Sequence, residues 1–447
     1  MRTRTGRLAL AGTLALAALL GAGHASANGR FPAAGHISVD PANEAHVAVR
    51  TTYGLLVTSD GGASWDWICE QAVKWTGQYD PSITITADGT ILAGIYDHLS
   101  VGRGDHCGWS SAAGLDQKNV VDVSTEKMAP ASAIALTSNG LGGGTFTTQV
   151  WEAPDNAMTW AQAGADLPGD FQALTVDSAP SNPMRLYVSG LHTGGAQGAI
   201  ERSVDRGKTW ERLDIPGTNV DKAPYIAAID PVDEQVLYVR LTGSPGRLLR
   251  SPDGGMTWQD AFQGVGILKG FALSPDGETI LVGGETDGVW RGAADTLQFE
   301  KVSPVGVQCL AWSQAAVYAC AAEFKDKFTV GRSTDQGETF EPMMHLACVR
   351  GPLACSADTE VGKECPGVWD ATADAIDQSS CFDGTGGGGA GGGGGAPDAG
   401  PTGGSGDDPG GCGCRVAGAS GAAGGAGALL GLALAARRAR RRTYPRT

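Results

Sequence analysis

Charge is sparse in this chain. Charged residues occupy only 18% of its 447 positions and aromatic residues only 6%. Basic residues are the scarcer sign, 33 Lys and Arg against 48 Asp and Glu, for a formal charge of −15. That balance lacks the cationic face a phosphate backbone needs, so nucleic acid is excluded as a partner. The middle of the chain has no convincing amphipathic helix, nucleophile elbow, P-loop or HExxH helix. No C-x-x-C pair marks a zinc site. Neither a metal nor a cofactor is expected. Disorder throughout is also excluded, because 42% of residues are apolar and 11 Trp must be buried somewhere.

The long uncharged runs lie at the two ends. Residues 1–27 carry Arg2, Arg4 and Arg7, an apolar stretch over 8–22, and Ala25-Ser26-Ala27, the pattern of a cleaved secretory signal. Residues 416–436 are uncharged and rich in Ala, Gly and Leu, long enough to cross a bilayer as a helix of about 30 Å. Arg437, Arg438, Arg440, Arg441 and Arg442 follow and are expected to stay cytoplasmic. A Gly/Pro/Asp stretch over 384–411 reads as a flexible linker, and Cys412 and Cys414 stand between it and the apolar run. This order resembles the C-terminal sorting signal of myxobacterial surface proteins. The resemblance implies processing by sorting machinery near Cys412 and Cys414, contact with the membrane through the C-terminal segment, and anchoring of the exported product at the cell surface.

Between the ends a short pattern repeats, Ser/Thr-x-Asp-x-Gly-x-Thr-Trp. Copies occupy 58–65, 203–210, 251–258 and 333–340, with Asp60 and Trp65, Asp205 and Trp210, Asp253 and Trp258, and Asp335 and Phe340 in the key places. A weaker copy has Asp155 and Trp160, with Ala157 where Gly is usual. Two intervals are double length, and degenerate units at Asp105 and Asp295 fill them. The spacing then settles at about 40–50 residues, one four-stranded propeller blade per unit. Seven units predict a seven-bladed, all-β propeller over 28–345. The Asp carboxylate is expected to bind amides of its own turn and the Trp to pack on the sheet.

The repeats resemble the Asp-box, or BNR, repeats of sialidases, sortilin-type receptors, xyloglucanases and plastid photosystem II assembly factors. The resemblance implies the propeller architecture and leaves activity open. The sialidase Arg-Ile-Pro signature is absent, since Gly29-Arg30-Phe31-Pro32 stands in its place. Arg50 and Arg240 suit a carboxylate site, but no third arginine joins them. Xyloglucanases with this repeat use two propellers, whereas seven units make one.

Cysteine use points to an oxidising compartment. Cys348, Cys355, Cys365 and Cys381 lie in a Cys-rich segment, 346–383, and read as two disulfides with three connectivities open. Cys309 and Cys320 suit a cross-strand pair, and Cys69 and Cys107 a link between the first two blades.

Propeller ligands bind at the central funnel, and the loops expected there carry Arg50, Trp75, Tyr79, Asp97, His98, His192, Arg240, Glu285 and Glu323. No two carboxylates are paired by sequence, so no catalytic residue is assigned. The favoured reading is a non-catalytic, surface-anchored propeller that binds a protein, peptide or glycan. The alternatives are a secreted glycoside hydrolase or lyase of sialidase-like fold, and an envelope assembly or scaffold factor.

Overall fold

The computed structural model describes residues 31–75 and 79–381. The expected leader (1–27), linker (384–411) and sorting segment with Cys412 and Cys414 lie outside the described residues. Within them, 28 strands form seven antiparallel sheets of four strands each, every sheet a meander of consecutive strands. The blades run over 34–68, 83–111, 120–162, 171–214, 224–263, 270–303 and 307–344. The units predicted at Asp105 and Asp295 both exist.

The second strand of each blade explains the apolar runs in the sequence. Residues 47–49, 91–93, 134–136, 186–188, 237–239, 280–282 and 317–319 are all 2% exposed or less. Neighbouring blades cover both faces of these strands, so the pattern is continuous rather than alternating. The outermost strands are short and polar, as in Glu211–Asp214.

The repeated turn joins the third and fourth strands. In blade 4, Ser203 Oγ donates to Asp205 Oδ1 (2.8 Å) and accepts from the Gly207 amide (2.8 Å). The Thr209 amide and hydroxyl donate to the two oxygens of Asp205. The same network forms around Asp253 and Asp335, and the amide and hydroxyl of residue 64 or 159 do likewise for Asp60 and Asp155. The Thr339 hydroxyl and amide hold the Asp335 carboxyl down at about 2. Gly207 has φ +80°, a conformation in which a Cβ is strained.

The aromatic residue of the turn reaches the preceding blade. Trp210 Nε1 donates to Ala165 O (3.1 Å), in the chain leaving blade 3, and its ring packs against residues of blades 3 and 4. Trp65, 3% exposed, donates to Met343 O (3.2 Å) in blade 7. Among the described residues no strand is exchanged between the first and last blades. Ring closure therefore relies on side-chain packing, on Trp65, and on the segment that follows blade 7.

That segment folds back over the outer edges of blades 1 and 2. Its backbone extends the blade 1 sheet, with the Trp67 amide donating to Gly351 O and the Leu353 amide to Trp67 O (both 2.8 Å). Trp369 tilts against Trp67 at 5.3 Å between ring centroids, and Arg350 pairs with Asp66. The disulfides are Cys69–Cys365, Cys107–Cys355, Cys348–Cys381 and Cys309–Cys320. The last agrees with the sequence reading. The proposed Cys69–Cys107 link does not form, and the four cysteines of the segment do not pair only among themselves. Each of those two blade cysteines faces the docked segment instead.

A buried histidine pair joins blades 1 and 2. His46 Nδ1 lies 3.0 Å from Asp40 Oδ2, and His106 Nε2 lies 3.1 Å from His46 Nε2, with the rings stacked at 5.0 Å. Burial pushes His106 down to about 4, His46 adds to this, and Asp105 and Asp40 oppose it. The unfolded chain takes up this proton near pH 6.5, so stability is lost as pH falls from about 6.5 towards about 4. Thermal melts at pH 7.5 and 4.5 should differ by the equivalent of about 2–3 kcal/mol more in the wild type than in His106→Asn. Asn suits the site because Asn156 holds the same left-handed backbone one blade on.

Candidate functional site

A cavity of about 320 Å³ opens at the end of the ring where the innermost strands begin. It is lined by Ala33, Ala34, Gly35, Arg50, Thr52, Asp80, Arg240, Lys269 and Gln308. These residues come from blades 1, 5 and 7 and from the connections entering blades 2 and 6. Closing the ring is what brings them together.

Arg50 Nη1 and Asp80 Oδ2 are 3.0 Å apart, with side chains 12% and 44% exposed. Arg50 is the penultimate residue of the second strand of blade 1, opposite His36 in the register, and burial and the Arg50 charge press His36 down to about 3. Gly35 makes room for the guanidinium, since a Cβ there would lie 2.9 Å from Arg50 Nη2. Arg240 Nη1 donates to Leu268 O (2.8 Å), and its guanidinium lies over the Tyr225 ring at 5.6 Å. Burial lowers its pKa. Lys269 Nζ pairs with Glu285 Oε1 (2.6 Å) at the exposed rim.

The other residues singled out in the sequence serve different ends. Trp75 is buried, donating Nε1 to Tyr79 O (3.0 Å), so its ring offers no stacking face. The Tyr79 hydroxyl accepts from the Tyr96 amide (2.6 Å), and burial raises it to about 12. His98 is buried and holds exposed Asp97 (2.6 Å). His192 faces Asp214 (3.4 Å). Glu323 is consumed structurally: it accepts from the Thr329 hydroxyl (2.6 Å) and pairs with His345 (2.8 Å). Arg50, Arg240 and, through Lys269, Glu285 thus meet at the cavity, and the remainder do not. Sequence reasoning missed Asp80, Thr52 and Gln308. Asp80 had a local signal, because it sits just before Pro81 at the entry to blade 2, next to the residue that was picked.

An acidic pair lies on the innermost strands of blades 3 and 4. Asp122 Oδ2 accepts from the Val176 amide (2.9 Å), which adjoins Asp177. Burial first, and then the charge of Asp122, raise Asp177 to about 7. Among the described residues no group of three or more His, Cys, Asp or Glu is placed to hold a metal.

No family model matches the chain. It is 38% identical over 93 residues to a xyloglucanase of Acetivibrio thermocellus, covering 19% of this chain and 11% of that protein. It is 31% identical over 163 residues to a xyloglucanase of Paenibacillus sp, covering 31% of this chain and 15% of that one. The matches thus span a small part of those relatives' length. Among solved structures it resembles an ancestral GH74 enzyme with TM-score 0.52 at 13% identity, over 69% of this chain and 46% of that one. These relatives correct the reading favoured from sequence. A non-catalytic binder was preferred, whereas the matching curated proteins are enzymes that act on a polysaccharide, which favours the glycoside hydrolase alternative.

Proposed function

We propose that this protein is a glycoside hydrolase that engages a polysaccharide at the funnel cavity. The observation that carries this reading is the 38% identity to a xyloglucanase over 93 residues. The cavity is consistent with it, being a concave site with several convergent polar groups and a volume of about 320 Å³, at the lower end of small-ligand sites. Asp80, with a guanidinium at 3.0 Å, suits the ionised partner of a glycosidase carboxyl pair. Glu285, tied to the cavity wall through Lys269, is the second carboxyl at the site. Four disulfides among the described residues fit an exported product. Surface anchoring is the accompanying proposal from the sequence of the C-terminal segment.

Reducing-sugar release from xyloglucan, mixed-linkage glucan, xylan and pectin is the direct test. The purified protein should cleave at least one of them, and Asp80→Asn should lower the rate by about 10²-fold or more with an unchanged melting temperature. A wild type inert on the whole panel, or an Asp80→Asn variant of full activity, would remove the reading or this assignment respectively.

A further inference from the structure

We propose that the funnel cavity is a subsite for a carboxylate-bearing sugar, a uronic acid residue of the polysaccharide. This deepens the glycan reading above and rests on it. The chain as a whole is acidic, at −15, yet the cavity is lined by three cations, Arg50, Arg240 and Lys269, and one carboxylate, Asp80. The three cations come from three separate blades or their connections, so no local sequence feature explains their meeting. A cationic recess with low-dielectric walls in an acidic surface focuses the field on an anionic ligand group.

Arg240 is the decisive side chain. Its only protein hydrogen bond among the described residues is to the Leu268 carbonyl, the Tyr225 ring backs its guanidinium, and no carboxylate accepts from it. A guanidinium has five N–H donors in a planar fork that matches a carboxylate. Lys269 spends its charge on Glu285 at a rim where both side chains are 40% exposed or more, an arrangement weak enough to yield to a ligand. The neutral lining fits the rest of a sugar. Thr52 and Gln308 suit ring hydroxyls, and the Asp80 carboxylate is a further acceptor for such hydroxyls. A dianionic phosphate would instead meet the Asp80 charge.

The cavity mouth extends the site along a chain. Phe31 and Phe324 are 65% and 70% exposed, with ring centroids 5.6 Å apart. The hydroxyl of Thr52, a lining residue, donates to Phe31 O (2.8 Å), which sets the aromatic pair beside the opening. Exposed rings at the lip supply an apolar platform for the sugar next to the acidic one.

The test is calorimetric titration of the purified protein with trigalacturonic acid, with its carboxyl-reduced neutral counterpart, and with inorganic phosphate. The acidic trisaccharide should bind at least about tenfold more tightly than the neutral one at low salt, and the gap should shrink as salt rises. Arg240→Gln should remove that preference and leave the neutral sugar's affinity as it was. Lys269→Gln, at the exposed rim, provides the same readout should Arg240→Gln fail to fold. Phe324→Ala should weaken both sugars alike. Equal affinity for the two sugars, an equal loss for both in Arg240→Gln, or phosphate binding as tight as the acidic sugar would each overturn the proposal. Cleavage of neutral glucans without acid preference would defeat the subsite and leave the hydrolase standing. Acid-selective binding with no cleavage would do the reverse.

Discussion

Cys69→Ser/Cys365→Ser should lose about 4 kcal/mol of stability, measured as a lower guanidinium midpoint in tryptophan fluorescence. The two cysteines are 296 residues apart, but the chain between them is shortened by the Cys107–Cys355 bond. What Cys69–Cys365 closes is the path 69–107 and 355–365, and a loop of that size is worth about 4 kcal/mol in the chain-entropy account. Removing both bonds should cost about twice as much, since the second then closes a far longer loop. The loss should exceed that from Cys309→Ala/Cys320→Ala, whose bond closes a short hairpin within one blade. The location explains the weight of the pair. The segment they hold supplies a further backbone ladder to blade 1 and lies over the outer edges of blades 1 and 2, the first two blades of a ring in which no strand is exchanged among the described residues. Unchanged stability in the double variant would show that the segment is not docked there. A non-reduced peptide digest would reveal the same by lacking the 69–365 cross-link.

Trp65→Ala should cost about 3–5 kcal/mol, at the top of the range for a buried aromatic. The ring is 3% exposed, and its Nε1 donates to Met343 O in blade 7. Met343 also fills the space over Gly62, where a Cβ would lie 2.5 Å from Met343 Cγ. Truncation therefore opens a void at the junction of first and last blades and leaves a carbonyl unsatisfied there. Trp210→Ala, with a half-buried ring between blades 3 and 4, should cost less, about 2 kcal/mol. Chemical denaturation of both variants checks the order. Equal losses would mean that blade closure carries no special load at Trp65.

The comparison of these residues shows what a repeat conveys. The Asp and Gly of each turn and the apolar second strand are local. Asp205 binds its own Ser203 and Thr209, and 237–239 is apolar because both of its faces are covered. Seven such units were therefore countable in the sequence, including the degenerate ones at Asp105 and Asp295. The partners of Trp65 and Trp210 were not legible, because a turn residue alone does not say whether it packs within its blade or on the preceding one. The same holds for Cys69 and Cys107. Their spacing suggested a mutual bond, while the folded-back segment brought closer partners from more than 200 residues away.

The sequence by itself determined the blade count, the strand pattern and the turn chemistry, all of which depend on residues within a few positions of each other. Only the tertiary structure decided which cations share the funnel, which cysteines bond and which rings are buried. Arg50, Asp80, Arg240 and Lys269 lie far apart along the chain and become neighbours only when the ring closes. Periodicity records local covalent order, whereas a site built at the centre of a ring depends on where each blade's radius ends.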